Sequence, residues 1–181
     1  TSDGVISVSA SAFSDAAGNE NDVSSNTITL TVDTIIPTIS ITSNVSSLKA
    51  GESAVLTFTL SEESTDFVEA DITASGGTIT GFSGSGTSYT ATFTPDESST
   101  SDGVISVSAS AFSDAAGNSN DSAGSITLTV DTLSPEAPVI TTIASSTSDT
   151  TPTIEGTAEA GTSITLFNGD AEIGTPTADE T

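Results

Sequence analysis

The sequence TSDGVISVSASAFSDAAGNEND, at residues 1–22, returns at residues 100–121 as TSDGVISVSASAFSDAAGNSND. The two copies differ at one position only, Glu20 in the first and Ser119 in the second. A near-identical segment at an offset of 99 residues indicates a duplication within a tandem array. A repeat of that length is typical of a β-sandwich domain.

A second recurring segment sets the predicted domain boundaries. ITLTVDT occupies residues 28–34 and residues 126–132, and both copies are followed by two residues and a proline. We therefore predict a complete repeat at residues 35–132, preceded by the C-terminal strands of a truncated repeat at residues 1–34. Residues 133–181 are predicted to be the N-terminal part of a second, shorter module.

Apolar residues alternate with Ser and Thr along the predicted repeat, as Leu56, Phe58 and Leu60 show. This period of two is typical of strands, and no segment has the 3.6-residue period of a helix. Seven short strands in about 98 residues favour an all-β chain of tandem immunoglobulin-like sandwich modules, although the Cys and Trp hallmarks are absent. The strands are predicted at residues 39–41, 56–60, 72–74, 79, 89–93, 105–111 and 126–130.

The charge composition excludes several functions. Of 181 residues, 25 are acidic and one, Lys49, is basic, which gives a net charge of −24. Nucleic-acid and basic membrane-surface binding need clustered Lys and Arg, so we expect neither partner. The absence of His and Cys removes the usual catalytic base and thiol nucleophile, and we predict no enzymatic activity. We also expect no signal peptide and no transmembrane helix in this sequence.

Five segments carry a resemblance to a known family. They are VDTIIPTISITS at 32–43, LKAGESAVLTFTLSE at 48–62, SGGTITGFSGSGTSYTATFTP at 75–95, AFSDAAGN at 111–118 and SITLTVDT at 125–132. With them the chain resembles the bacterial Ig-like domains repeated along giant surface adhesins of the RTX type, exported by type I secretion. TPTIEGTAEAGTSITLFNGDAEIGT, at residues 151–175, resembles a second, shorter Ig-like family of the same proteins.

The resemblance implies a structural stalk or spacer at the bacterial cell surface, in an extracellular protein of cell adhesion and biofilms. It implies neighbouring Ig-like repeats as partners, a host-surface or biofilm ligand bound through other parts of the protein, and calcium near domain junctions. The alternative is an adhesion module that itself binds a carbohydrate or protein. The phenylalanines fall mostly on inward positions, and Phe82 is the exception, either as a contact of a binding module or as a bulge residue beside the Gly-Ser-Gly turn.

Candidate cation ligands are predicted at one end of the sandwich. Because successive strands alternate in direction, the loops at residues 61–66 and 114–118 lie at the end where the chain enters with Asp33. Calcium takes six to eight oxygen ligands from carboxylates, amides and carbonyls. We therefore predict a Ca²⁺ site formed by Asp33, Glu62, Asp114 and Asn118.

Two alternatives stay open for the acidic loops. DAAGN at residues 114–118 is also the sequence of a tight turn, in which the Asp side chain accepts backbone N–H groups. At the opposite end, Asp96, Glu97 and Asp102 accompany Asp131, as a second junction site or as a solvated acidic loop.

Overall fold

The computed structural model describes residues 3–22, 27–121, 124–142 and 148–179. The chain divides into two compact units, residues 1–132 and residues 133–181. Strands dominate both units, and the described residues contain one 3₁₀ turn, Glu69–Asp71, and no α-helix. The part of the chain that is described holds no helix that is long and apolar enough to cross a membrane. The domain boundaries drawn from the repeat stay predictions.

The described residues of the first unit form nine strands. They are β1 (Gly4–Ile6), β2 (Ile28–Leu30), β3 (Ile39–Ser43), β4 (Ser47–Lys49), β5 (Ala54–Ser64), β6 (Ile72–Ser75), β7 (Gly77–Pro95), β8 (Gly103–Val107) and β9 (Ile126–Asp131). Strands β3 to β9 form two sheets, a three-stranded sheet of order β3-β5-β7 and a four-stranded sheet of order β4-β9-β8-β6. The β1–β2 pair is a separate antiparallel sheet.

Period-two alternation explains the core between the two sheets. Along β5, Leu56, Phe58 and Leu60 are buried while the threonines between them are not. Inward residues of both sheets form one hydrophobic cluster, to which Phe93 and Ile105 contribute fully buried side chains. This arrangement confirms the all-β, immunoglobulin-like sandwich class that the alternation predicts.

Strand β7 is one continuous range that folds back on itself. Gly84 and Gly86 have positive φ angles, and the Oγ of Ser83 lies 3.2 Å from Oγ1 of Thr90 on the returning half. The returning half pairs with β5. The strands predicted at residue 79 and at 89–93 are therefore the two arms of this hairpin.

Strand β4 is not predicted by the alternation. Ser47–Lys49 pairs in parallel with β9, although β3, only three residues earlier, pairs with β5 in the other sheet. The chain thus switches sheets between Ser43 and Ser47. Leu48 is the single buried residue of β4, so no alternating pattern of apolar residues marks it.

The prediction that one strand covers 105–111 is wrong at its C-terminal end, because β8 ends at Val107. Ser110 has a φ of 58°, which breaks the extended conformation. The N–H of Ser110 donates to the carbonyl oxygen of Asn120 at 3.0 Å, and Nδ2 of Asn120 donates to the carbonyl oxygen of Ser108. Cross-loop hydrogen bonds thus replace the strand ladder after Val107.

Four short strands, in two antiparallel pairs, are formed by the part of the second unit that the structure describes. They are β10 (Val139–Thr142), β11 (Glu155–Thr157), β12 (Leu166–Asn168) and β13 (Ala171–Gly174). Large apolar side chains such as Phe167 and Ile173 are exposed in this unit.

Candidate cation site

Three carboxylates meet at one end of the sandwich. Asp33 precedes β3, Glu62 lies in β5 and Asp114 lies in the loop between β8 and β9. One carboxylate oxygen from each lies within 4.8 Å of the other two. Glu62 belongs to a strand and not to the predicted loop, because β5 continues past an irregularity as far as Ser64, which pairs with Gly86.

A local turn holds Asp114. Its Oδ1 accepts the backbone N–H groups of Ala116 and Asn118, both at 2.9 Å, and its Oδ2 accepts Nδ2 of Asn118 at 2.8 Å. The hydrogen bond from the Asn118 side chain is the largest cause that holds the pKa of Asp114 below its ordinary value. These hydrogen bonds therefore hold the Asp114 carboxylate in one orientation and favour its ionised form.

The first copy of the repeat forms the same turn. Oδ1 of Asp15 accepts the N–H groups of Ala17 and Asn19, and Nδ2 of Asn19 donates to Oδ2 at 2.8 Å. Among the described residues, however, Asp15 belongs to no cluster of three carboxylates. The turn therefore forms without such a cluster. The local geometry of DAAGN follows from the turn alone, so Glu62 and Asp33 are what distinguish the second copy as a candidate cation site.

Glu62 is held in an environment that disfavours its charge. Its Oε2 is buried and accepts no hydrogen bond from any described residue. Burial is the largest cause that raises the pKa of Glu62, and the negative charge of Asp33 is the second. A buried carboxylate oxygen without a donor is costly, and a proton or a cation relieves that cost.

Asn118 lies beside the three carboxylates as a hydrogen-bond donor. Its Nδ2 donates to the backbone carbonyl of Asp33 at 3.2 Å as well as to Asp114. The side chain therefore links the entering chain to the turn. The structure brings all four predicted residues together: three contribute carboxylate oxygens, and Asn118 donates to the carboxylate of Asp114 and to the backbone of Asp33.

Asp66 is a residue of this end that the spacing of acidic residues does not single out. Its Oδ1 accepts the backbone N–H of Ser113 at 2.9 Å, and its Oδ2 accepts the hydroxyl of Ser113 at 2.6 Å. These hydrogen bonds lower its pKa, and Ser64 donates a further one. Asp66 thus links the chain after β5 to Ser113, the residue before Asp114. This link holds Glu62 and Asp114 close to each other.

The acidic residues at the other end do not form a comparable group. Among residues 3–22, 27–121, 124–142 and 148–179, the cluster of Asp33, Glu62 and Asp114 is the one set of three acidic groups close enough to share a cation. At the far end, Thr132 donates its hydroxyl to the backbone carbonyl of Asp96 and accepts the N–H of Ser99. Hydrogen bonds of Thr132 thus join the residue after β9 to the loop between β7 and β8.

Comparison with known proteins identifies the family. The family model of the bacterial Ig-like domain matches residues 33–130, more than half of the chain. No curated protein matches the sequence. No solved structure matches it. The matched range begins at Asp33 and ends within β9, so it covers the two-sheet sandwich and its acidic end. The chain therefore belongs to the bacterial Ig-like domain family.

Proposed function

We propose that this chain is a structural spacer segment of a large bacterial cell-surface adhesin of the RTX type. Domains of the family are generally non-enzymatic and typically extracellular or surface-exposed. The observation that carries the proposal is the near-exact return of residues 1–22 at 100–121. Duplication of a module adds length to a chain without adding a new kind of site.

The aromatic side chains favour the spacer over the ligand-binding alternative. Phe82, the candidate for an exposed contact, is partly buried and packs against the core. Its ring stacks on Tyr89 at 5.5 Å and meets Phe67 edge-on at 5.4 Å. Binding surfaces rely on accessible aromatic anchors. Within the matched range, the described aromatic side chains are all buried or partly buried.

We further propose that Ca²⁺ is held by Asp33, Glu62 and Asp114. Three converging carboxylates and the buried, unpartnered Oε2 of Glu62 fit a hard cation that prefers oxygen ligands. Asp33 belongs to the segment that enters the sandwich, whereas the other two belong to the sandwich. A shared ion would therefore restrain the entering segment and, through it, the junction with a neighbouring repeat.

The raised pKa of Glu62 gives a test of this site. The folded protein keeps the Glu62 proton to higher pH than the unfolded chain does, so without a cation stability falls as pH rises above the ordinary value of 4.5. We expect Glu62→Gln to remove this loss and to raise the thermal midpoint at pH 7 in chelator. Calcium is expected to raise the thermal midpoint of the wild type. It is expected to raise the midpoint of Glu62→Gln much less.

Glu63→Gln is the matched control, because it removes one negative charge from the neighbouring exposed residue of β5. Thermal unfolding followed by circular dichroism, in calcium and in chelator from pH 4.5 to pH 8, measures both variants. If the two variants respond to calcium and to pH alike, Glu62 holds no cation. The spacer proposal would stand in that case, since it depends on the repeat.

A further inference from the structure

The edge strands of the sandwich carry no acidic residue. The first sheet ends at β3 and β7, and the second ends at β4 and β6. All four strands lie in residues 34–51 or 72–95, and none of the 25 acidic residues of the chain lies in either segment. Charged side chains on edge strands are a common means of preventing edge-to-edge pairing. The sandwich therefore places its negative charge away from the strands at which pairing with another sheet can begin.

Strand β3 has the most regular of these edges. Its five residues pair with β5 without a shift of register, and it contains neither Gly nor Pro. In contrast, the outer arm of β7 contains Gly81, whose φ is 66°, and β4 has only three residues. Strand β6 directly follows the acidic turn Glu69–Asp71. Because β3 lies well inside the matched range 33–130, its edge does not depend on either end of the sequence.

The hydrogen bonds to β5 show which main-chain groups point to the other side of β3. The carbonyl oxygen of Thr38 accepts the N–H of Ser61 at 2.9 Å, and the N–H of Asn44 donates to the carbonyl oxygen of Val55 at 3.1 Å. Because such bonds alternate along an antiparallel ladder, the even-numbered residues of β3 bond to β5. Among the described residues, no strand pairs with β3 on its other side. We name as the β3 edge the N–H and C=O groups that point there, which are those of Ile39, Ile41 and Ser43.

We propose that the β3 edge pairs with the β3 edge of a second copy of this chain, antiparallel and about a twofold axis at Ile41. In this register Ile41 lies opposite Ile41 of the second copy, and Ile39 lies opposite Ser43. Every N–H and C=O group of the edge then has a partner, as in β-strand addition. On the exposed face Ser40 lies opposite Thr42, and cross-strand pairs of hydroxyl side chains stabilise neighbouring strands.

Charge favours a second copy as the occupant of the β3 edge. Two copies that each carry a net charge of −24 repel each other, and contact costs least where both surfaces lack acidic groups. The one basic residue of the chain, Lys49, lies in the same acid-free segment as β3, with its side chain 78% exposed. Ser40 and Thr42 flank Ile41, so the reversed strand presents the same types of side chain at its three central positions. The strand is thus complementary to itself.

Antiparallel pairing sets the relative direction of the two molecules. The twofold axis makes the contact identical for both copies, and the strands of the two sandwiches run in opposite directions. The two entering segments, each with its Asp33, therefore lie at opposite ends of the pair. For a spacer at a cell surface, this is the orientation of chains that extend from two facing surfaces. That consequence rests on the proposed function, whereas the pairing itself does not.

Sedimentation equilibrium of the full chain measures the pairing. In about 1 M salt, which screens charges beyond about 3 Å, we expect the average mass to rise towards that of a dimer as the protein concentration approaches about 1 mM. Ser40→Asp is expected to weaken the dimer by about tenfold or more, because it brings a carboxylate into the contact. Ser88→Asp is the matched control, since Ser88 lies on the same exposed face in the row that joins Ser40 and Thr59. Its expected effect is about twofold or less.

Disulfide trapping measures the register and does not depend on how the Asp variants fold. The chain has no cysteine, so the variants S40C and T42C carry one thiol each. In the proposed register, position 40 lies directly opposite position 42 of the other copy, whereas identical positions are about 7–8 Å apart, too far for a disulfide. A mixture of the two variants is therefore expected to form the mixed disulfide in preference to either homodimer. A mass independent of concentration, equal weakening by the two Asp variants, or a statistical mixture of the three disulfides would overturn the proposal.

Discussion

Replacing Ile105 by alanine is expected to lower the free energy of unfolding of the sandwich by about 2–5 kcal/mol. Ile105 lies in β8 with no exposed side-chain surface, opposite Ala74 of β6 and within the core cluster. Truncation leaves a cavity between the two sheets that the close-packed neighbours cannot fill. Urea denaturation of the full chain, followed by tyrosine fluorescence, measures the loss because Tyr89 is in the same core.

Ile6→Ala is the matched control for Ile105→Ala. Both isoleucines stand in the sequence TSDGVISVSASAF, so helix or strand propensity and unfolded-chain effects are the same for both. Because Ile6 is exposed, its truncation is expected to cost well under about 1 kcal/mol. Equal losses at the two positions would mean that Ile6 is as well covered as Ile105, which would contradict the core described above.

Replacing Asn120 by alanine is expected to cost about 2–4 kcal/mol. The buried Asn120 side chain accepts the N–H groups of Ala111 and Phe112, at 2.7 and 2.9 Å, and donates to the carbonyl oxygens of Ser108 and Asp121. The N–H of the buried Phe112 then loses its partner inside the protein. The same urea denaturation measures the change.

Asn21→Ala is the control for Asn120→Ala. Asn21 accepts the N–H of Phe13 at 2.9 Å and donates to the carbonyl oxygens of Ser9 and Asp22, so it makes nearly the same hydrogen bonds. Phe13 is exposed, and water can replace the lost side chain there. The expected cost is below about 1 kcal/mol. A loss at Asn21 as large as that at Asn120 would contradict the role assigned to burial.

The strands of the core are predictable from the sequence because burial and the strand period act together. The alternation of Leu56, Phe58 and Leu60 predicts β5, because every second residue of the strand must be apolar to face the other sheet. β4 has one buried residue, Leu48, and its pairing with β9 depends on a change of sheet that no local pattern encodes. Short strands of this kind follow from tertiary contacts.

The acidic end was predictable in part, for a different physical reason. Alternating strand direction is enough to bring Asp33, Glu62 and Asp114 to one end of the sandwich. The direction in which side chains point depends on hydrogen bonds that form only in the folded chain. Thus the hydrogen bond from the amide nitrogen of Asn118 to Asp114 was not predicted, and the role of Asn118 as a ligand stays a prediction. Similarly, the two hydrogen bonds from Ser113 to Asp66 join residues that are 47 positions apart.

The proposed calcium site has a mechanical consequence at the junction that contains Asp33. Without a cation, the carboxylates of Asp33, Glu62 and Asp114 repel one another, and the entering segment is free to move away from the sandwich. With a shared ion, oxygens on both sides of the junction are held together. Each sandwich adds roughly 30–40 Å, from strands of up to about ten residues at ~3.3 Å each, so a stiff junction converts repeat number into reach.

Small-angle X-ray scattering of a chain with two intact repeats, in calcium and in chelator, tests this account most directly. We expect a larger maximum dimension and a narrower range of shapes in calcium. We also expect a variant with Asp33→Ala and Asp114→Ala to scatter like the chelated wild type in both solutions. A wild-type maximum dimension and thermal midpoint that are the same with and without calcium would contradict it.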